Sequence, residues 1–246
     1  MRFFIELSYK GAKYHGWQAQ PNAKSVQEEI NKGLSTILNK RIGVMGAGRT
    51  DSGVHANQMF AHFDCDIDFL VADIVFRLNR FLPSDIAVHD IFKVRDDANC
   101  RFDAISRTYE YHIIQKKDPF NETAYLFEKE LDIEAMNQAC QYILGKKDFT
   151  SFSKANTQTF TNNCDIMFAK WEMINSSIIF SIKSDRFLRN MVRAIVGTLL
   201  EVGIGKIKPH DISRIIDAKN RNESGSSVPP HPLFLISVEY PNNIRV

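Results

Sequence analysis

The stretch FAKWEMINSSIIFSIK, Phe168 to Lys183, reads as two strands, Phe168–Ile174 and Ser177–Lys183, joined by the short turn Asn175-Ser176. Strands that close in sequence run antiparallel, because a parallel return needs a crossover of a dozen or more residues. The sheet containing this hairpin is therefore mixed or antiparallel, and the fold class is α+β, with helices on one face of the sheet.

Outward from the hairpin, the second half of the chain opens on a strand, Ser106–Ile114. A helix follows, capped by Asp132, closed by Gly145 and turning Ile133, Met136, Cys140 and Ile143 inward. After the hairpin the pattern predicts a long helix from Phe187 to Val202, a short one over Asp211–Ala218 and a last strand, Leu233–Tyr240. The first half has a similar order. Phe3–Tyr9 alternates as a strand, and Ser25 with Glu28 forms a capping box ahead of Val26, Ile30, Leu34 and Ile37 at helical spacing. Strands at Gly43–Met45, Met59–Phe63 and Ile86–Val94 flank a helix at Val71–Phe81. The repetition predicts two similar α+β halves, residues 1–105 and 106–246, meeting near Asp103–Ser106.

At 246 residues and 44% hydrophobic, the chain can bury a substantial core. Its 31 basic and 29 acidic residues nearly cancel, so a nucleic-acid footprint would have to be local. Cys65, Cys100, Cys140 and Cys164 are scattered, which argues against a zinc knuckle or a disulfide frame and for a reducing, cytoplasmic setting. The longest apolar stretch, Met191–Gly205, is interrupted by Arg193 and Glu201 and is no membrane span; Met1–Gly11 does not read as a signal peptide.

The run GAGRTDSGVHA, Gly46–Ala56, places Asp51 in a glycine-lined turn two residues after Arg49. Gly46, Gly48 and Gly53 are expected to let the backbone bend and a ligand approach, and Arg49 to keep the carboxylate ionised, as a nucleophile or base requires. A dinucleotide fingerprint would need glycine at Asp51, a P-loop would end in Gly-Lys-Ser/Thr, and an aspartic protease would need a second such aspartate; none of these fits. The plain competing reading is an aspartate that satisfies backbone donors in a tight turn.

Two more segments bear on chemistry. In the strand Ser106–Ile114 the period of two puts Arg107, Tyr109, Tyr111 and Ile113 on one face, a stacking stripe for an unstacked base or, as is commoner for Tyr and Ile alternating in a strand, a core face. On the long helix Arg186, Arg189, Asn190, Arg193 and Gly197 gather on one side; Gly197 implies something packed closely against it, and a half-buried arginine there needs an anionic partner or else a solvated face.

Taken in order, Tyr9-Lys10-Gly11, Tyr14-His15-Gly16-Trp17-Gln18, GRTDSGVHA, Arg101-Phe102, Arg107-Thr108-Tyr109-Glu110-Tyr111, Asp148–Phe152 and Phe187–Arg193 resemble the tRNA pseudouridine synthase A (TruA) family over nearly the whole chain. Where that family carries Gly-Leu-Tyr-Leu this chain has Pro232-Leu233-Phe234-Leu235, and Gln115–Leu131 matches no pattern. The resemblance implies that Asp51 is the catalytic residue, that Tyr109 packs on the target uracil and that Arg193 pairs with the aspartate, in a catalytic cleft between the halves. It also implies a homodimer acting on the anticodon stem-loop of tRNA, at positions 38, 39 and 40, with no cofactor and no metal. Arg49, Arg107, Arg186 and Arg189 are the candidates for sugar or phosphate contacts. The residues alone leave open whether Asp51 attacks the sugar, attacks the base or removes a ribose proton. Two other classes stay in view: a non-catalytic RNA-binding protein, and a metal-dependent hydrolase built on Asp51, His55, His62 and Asp64.

Overall fold

Alternating residues at the N-terminus form β1 (Arg2–Tyr9), which is paired on both sides and buries Phe3, Phe4, Ile5, Leu7 and Tyr9. The computed structural model, which describes residues 1–154 and 160–246, divides into two units: Met1–Ile105 with Phe234–Val246, and Ser106–Leu233.

In the first unit the Ser25 half of the expected capping box starts α1 (Val26–Ile37): Glu28 N donates to Ser25 Oγ at 3.3 Å, and Val26, Ile30 and Leu34 face inward. The short β2 (Met45–Gly46) and the longer β3 (His55–Asp64) follow, then α2 (Val71–Phe81) and β4 (Ile86–Val94). β3 exceeds the expected Met59–Phe63 because it pairs along almost all of β1, from Arg2 opposite Asp64 to Tyr9 opposite Ala56. A strand covered by its neighbours loses the alternation that sequence reading depends on.

The second unit contains β5 (Ser106–Ile114), β6 (Tyr125–Leu126), α3 (Ile133–Ile143), β7 (Gly145–Asp148), β8 (Asn163–Ile174), β9 (Ser177–Ser184), α4 (Met191–Gly203) and α5 (Asp211–Asp217). The hairpin forms as read: Ile174 lies opposite Ser177, with Asn175 in the left-handed region at φ 56°. Its sheet runs β5-β9-β8-β7, every pair antiparallel, while β6 adds to β5 in parallel. Asp132 caps α3 by accepting from Ala135 N at 2.9 Å. β7, Gly-Lys-Lys-Asp, has no strand-forming composition and exists through its pairing with β8. β6 lies in the Gln115–Leu131 segment that matched no pattern.

Two expectations change. The long helix begins at Met191, four residues after Phe187, because Asn190 adopts φ 66° and cannot continue a helix backward. Asp185 Oδ1 also accepts from Arg186 N at 2.7 Å and Asp165 N at 2.8 Å, holding the preceding chain as a loop. The last strand, β10 (Leu233–Glu239), pairs in parallel with β3, Phe234 opposite His55 and Leu235 opposite Ala56. Residues 234–246 therefore belong to the first unit, not to a second half ending at 246, and they make the first unit's sheet mixed.

Candidate active site

Asp51 is half-buried at the head of a tight turn that Val54 N closes onto the Asp51 carbonyl at 3.2 Å, with Gly53 at φ 82°. The chain from Tyr14 to Trp17 grips that turn from one side. Gly53 N and Ser52 Oγ both donate to the Tyr14 carbonyl at 3.3 Å, and Trp17 N donates to the Thr50 carbonyl at 3.3 Å. Gly16, at φ 89°, lies so close to the Thr50 carbonyl that a Cβ has no room. Tyr14 is itself anchored, its hydroxyl donating to Asp85 Oδ1 at 2.5 Å; burial, and then that bond, push its proton affinity up. Tyr9 and Thr50 share a buried hydroxyl bond of 2.9 Å.

The glycines divide by function. Gly46, expected to admit a ligand, is small because the Trp17 indole packs onto it. Gly48 is the open one, with nothing within 4 Å of a Cβ placed there. Arg49 is exposed, and its Nε donates to Gln18 Oε1 at 3.1 Å. The arginine expected to hold the carboxylate ionised thus engages a neutral amide.

In the second unit the β5 face splits into two. Tyr111 and Ile113 are fully buried, the Tyr111 hydroxyl donating to the Pro229 carbonyl at 3.1 Å, so this end is core. Tyr109 and Arg107 are half-buried. The Tyr109 ring meets Phe187 edge-on, centroids 5.1 Å apart at 86°, and Arg107 Nη1 donates to the Asp185 carbonyl at 2.7 Å. Arg186 and Arg189 precede α4 and so share no helical face with Arg193, which corrects the expected stripe. Arg186 is half-buried in the loop and Arg189 exposed.

Within α4 every residue is buried except Arg193 and Glu201. Arg193 Nε donates to the Val228 carbonyl at 2.8 Å. The close neighbour implied by Gly197 is the Ser226 carbonyl, lying where a Cβ would be.

A sequence model of the family described as tRNA pseudouridine synthase matches residues 139–241. Proteins named tRNA pseudouridine synthase A from Parabacteroides distasonis and Porphyromonas gingivalis are each 50% identical to this chain, covering 99% of it and 97% and 98% of their own lengths. One from Francisella tularensis subsp. novicida is 38% identical, covering 97% of this chain and 94% of its own length. The chain belongs to the tRNA pseudouridine synthase A family. Members of the tRNA pseudouridine synthase A family are enzymes that isomerise uridine to pseudouridine.

Three of the four residues of the metal-hydrolase alternative have structural work. His55 Nδ1 accepts from Gly11 N at 3.1 Å and its ring stacks on Phe234 at 4.7 Å; His62 Nδ1 accepts from Cys100 N at 3.3 Å; Asp64 binds the Arg2 guanidinium through both oxygens at 2.8 Å. Three contacts are not legible in the sequence: in the first unit the Tyr14–Trp17 brace, and in the second Phe187 beside Tyr109 and the Ser226–Val228 loop against α4. The density of aromatics and glycines in Tyr9–Trp17 was the available signal for the first. The other two depend on contacts between segments distant in sequence.

Proposed function

We propose that this protein isomerises uridine to pseudouridine in tRNA, at positions 38, 39 and 40 of the anticodon stem-loop, as a cytoplasmic homodimer that needs no cofactor. Asp51 is the catalytic residue. The C1′–N1 bond of the target breaks, the detached ring turns, and C1′ joins C5 while the proton leaving C5 is replaced by one on N1. Glycosidic cleavage builds positive charge at the sugar, which a fixed carboxylate stabilises, traps or answers by removing a ribose proton. Tyr109 offers its half-buried ring to the flipped uracil, and Arg193 supports the carboxylate. Arg49, Arg107, Arg186 and Arg189 serve the RNA backbone. Flipping the base out of its stack costs a few kcal/mol, offset by such contacts and by stacking.

The observation that carries this reading is the Asp51 turn, braced by backbone contacts on the Tyr14–Trp17 side and open at Gly48. A reacting carboxylate must not drift, and this one sits on backbone that cannot. Replacing Asp51 with Asn is expected to abolish pseudouridine formation, a loss of about a thousandfold or more, with tRNA affinity within about twofold. Turnover surviving in D51N refutes the catalytic assignment of Asp51; wild-type protein that binds tRNA and forms no pseudouridine is instead an RNA-binding protein without catalysis. Pseudouridine mapped in bulk tRNA with and without the protein tests the positions.

A further inference from the structure

Arg221 has no part in the reaction proposed above, yet its half-buried guanidinium spans the Ser224–Ser227 loop. Nη1 donates to Ser224 Oγ at 2.8 Å and to the Gly225 carbonyl at 3.0 Å, and Nη2 donates to Ser227 Oγ at 2.9 Å. The loop is laid in turn onto α4. Gly225 N donates to Thr198 Oγ1 at 2.9 Å, the Ser226 carbonyl occupies the space left by Gly197, and Asn190 Nδ2 donates to Ser227 Oγ at 2.5 Å. Its far side is tied down where Ser224 Oγ donates to the carbonyl of the fully buried Ser151 at 2.5 Å. One residue beyond the loop, Val228 meets Arg193 twice: its carbonyl accepts from Nε at 2.8 Å, and its N–H donates to the Arg193 carbonyl at 3.3 Å.

We propose that Arg221 is a positioning residue for Arg193: by clamping Ser224–Ser227 onto α4 it fixes the Val228 carbonyl, and that carbonyl sets the plane of the Arg193 guanidinium. The inference rests on the part given to Arg193 in the proposed reaction. A guanidinium is flat, so pinning Nε leaves only the outer nitrogens to meet an anion and fixes their direction. Arg221 suits the clamp because a planar fork can hold two or three acceptors at once, which a lysine ammonium on its flexible stem does not reproduce.

The competing use of Arg221 is direct contact with RNA phosphate, since it also lines an open polar cavity with Lys154 and Asn222. Steady-state kinetics on tRNA, with tRNA affinity measured separately across a salt series, separates the two. In Arg221→Lys the charge remains and the fork is lost, so kcat is expected to fall about tenfold with tRNA affinity unchanged. Ser227→Ala, a milder change that removes only the hydroxyl shared by Arg221 and Asn190, is expected to lower kcat about threefold, and it serves if Arg221→Lys fails to fold. Adding Arg221→Lys to Arg193→Lys is expected to cost nothing beyond Arg193→Lys alone, because the clamp acts only through Arg193. Wild-type kcat in both Arg221→Lys and Ser227→Ala overturns the clamp. So does an Arg221→Gln protein whose loss is all in tRNA affinity, with the salt slope reduced by about one. If Arg193→Lys itself keeps wild-type kcat, the role of Arg193 in the reaction falls and the clamp has nothing to position; that result is distinct from a slow Arg193→Lys beside an unimpaired Arg221→Lys.

Discussion

The Asp51 turn and the Asp185–Arg193 approach to α4 both carry charged candidates for the reaction, but they are held by opposite means. Around Asp51 backbone lies on backbone: Gly53 and Ser52 on the Tyr14 carbonyl, Trp17 on the Thr50 carbonyl, and Gly16 with no space for a side chain. Along the Asp185–Asn190 approach to α4 the holding groups are mostly side chains, Asp185, Asn190 and Arg107, each making bonds to loop backbone or hydroxyls. Backbone packing of the first kind tolerates almost no substitution nearby. Side-chain bonds of the second kind are worth roughly 1 kcal/mol each and can be exchanged one at a time. In the proposed reaction the carboxylate that must stay fixed through bond breaking sits on the first arrangement, and the groups proposed to meet a long polyanion sit on the second.

Gly16 is where the backbone brace of Asp51 is most vulnerable. Gly16→Ala combines a left-handed backbone with a clash against the Thr50 carbonyl, so it is expected to destabilise the protein by roughly 3 kcal/mol. Thermal unfolding should show the loss, while Gly48→Ala, with open space around it, should leave the midpoint unchanged. Equal effects at the two glycines would mean that the Tyr14–Trp17 brace does not hold the turn.

A smaller effect sharpens the other side. Arg189→Gln, on an exposed loop residue, is expected to leave stability within about 0.5 kcal/mol and to reduce the salt slope of tRNA binding by about one. An unchanged slope removes Arg189 from the RNA contacts.

The smallest effect concerns pH. Burial, and then the charge of Arg2, lower the proton affinity of His62 on β3 below its ordinary value of 6.5. The unfolded chain then takes up this proton before the folded one does, so stability is full above about pH 6.5, declines as pH falls below that value, and levels off once the folded histidine is protonated as well. Denaturant titrations between pH 7.5 and about 5 should show this decline, and a flatter one in His62→Gln. The same slope in both proteins would assign it elsewhere, His231 being another histidine whose proton affinity burial lowers.

Much of the fold was legible because its signals are short. The cap at Ser25, the cap at Asp132 and the Asn175-Ser176 hairpin are each set by residues a few positions apart, and each formed where the pattern placed it. Asp51 stood out for the same reason, in a single eleven-residue run, Gly46–Ala56. The illegible parts share the opposite property. Helical periodicity carried the long helix back to Phe187 because it registers side-chain polarity and not backbone φ; only Asn190 in the left-handed region, tied to Ser227, ends it at Met191.

The α+β class, the capped helices α1 and α3, the Asn175-Ser176 hairpin and the turn bearing Asp51 are written locally in the chain, because hydrogen-bond capping and periodic burial act over distances of one or two turns of chain. Tertiary structure decided that β10 joins β3, that Gly46 makes room for an indole, that Arg49 turns to Gln18 and that Arg193 is anchored on Val228. Those outcomes depend on which distant backbone arrives alongside, and close packing, which rewards fit between surfaces rather than any local pattern, selects it.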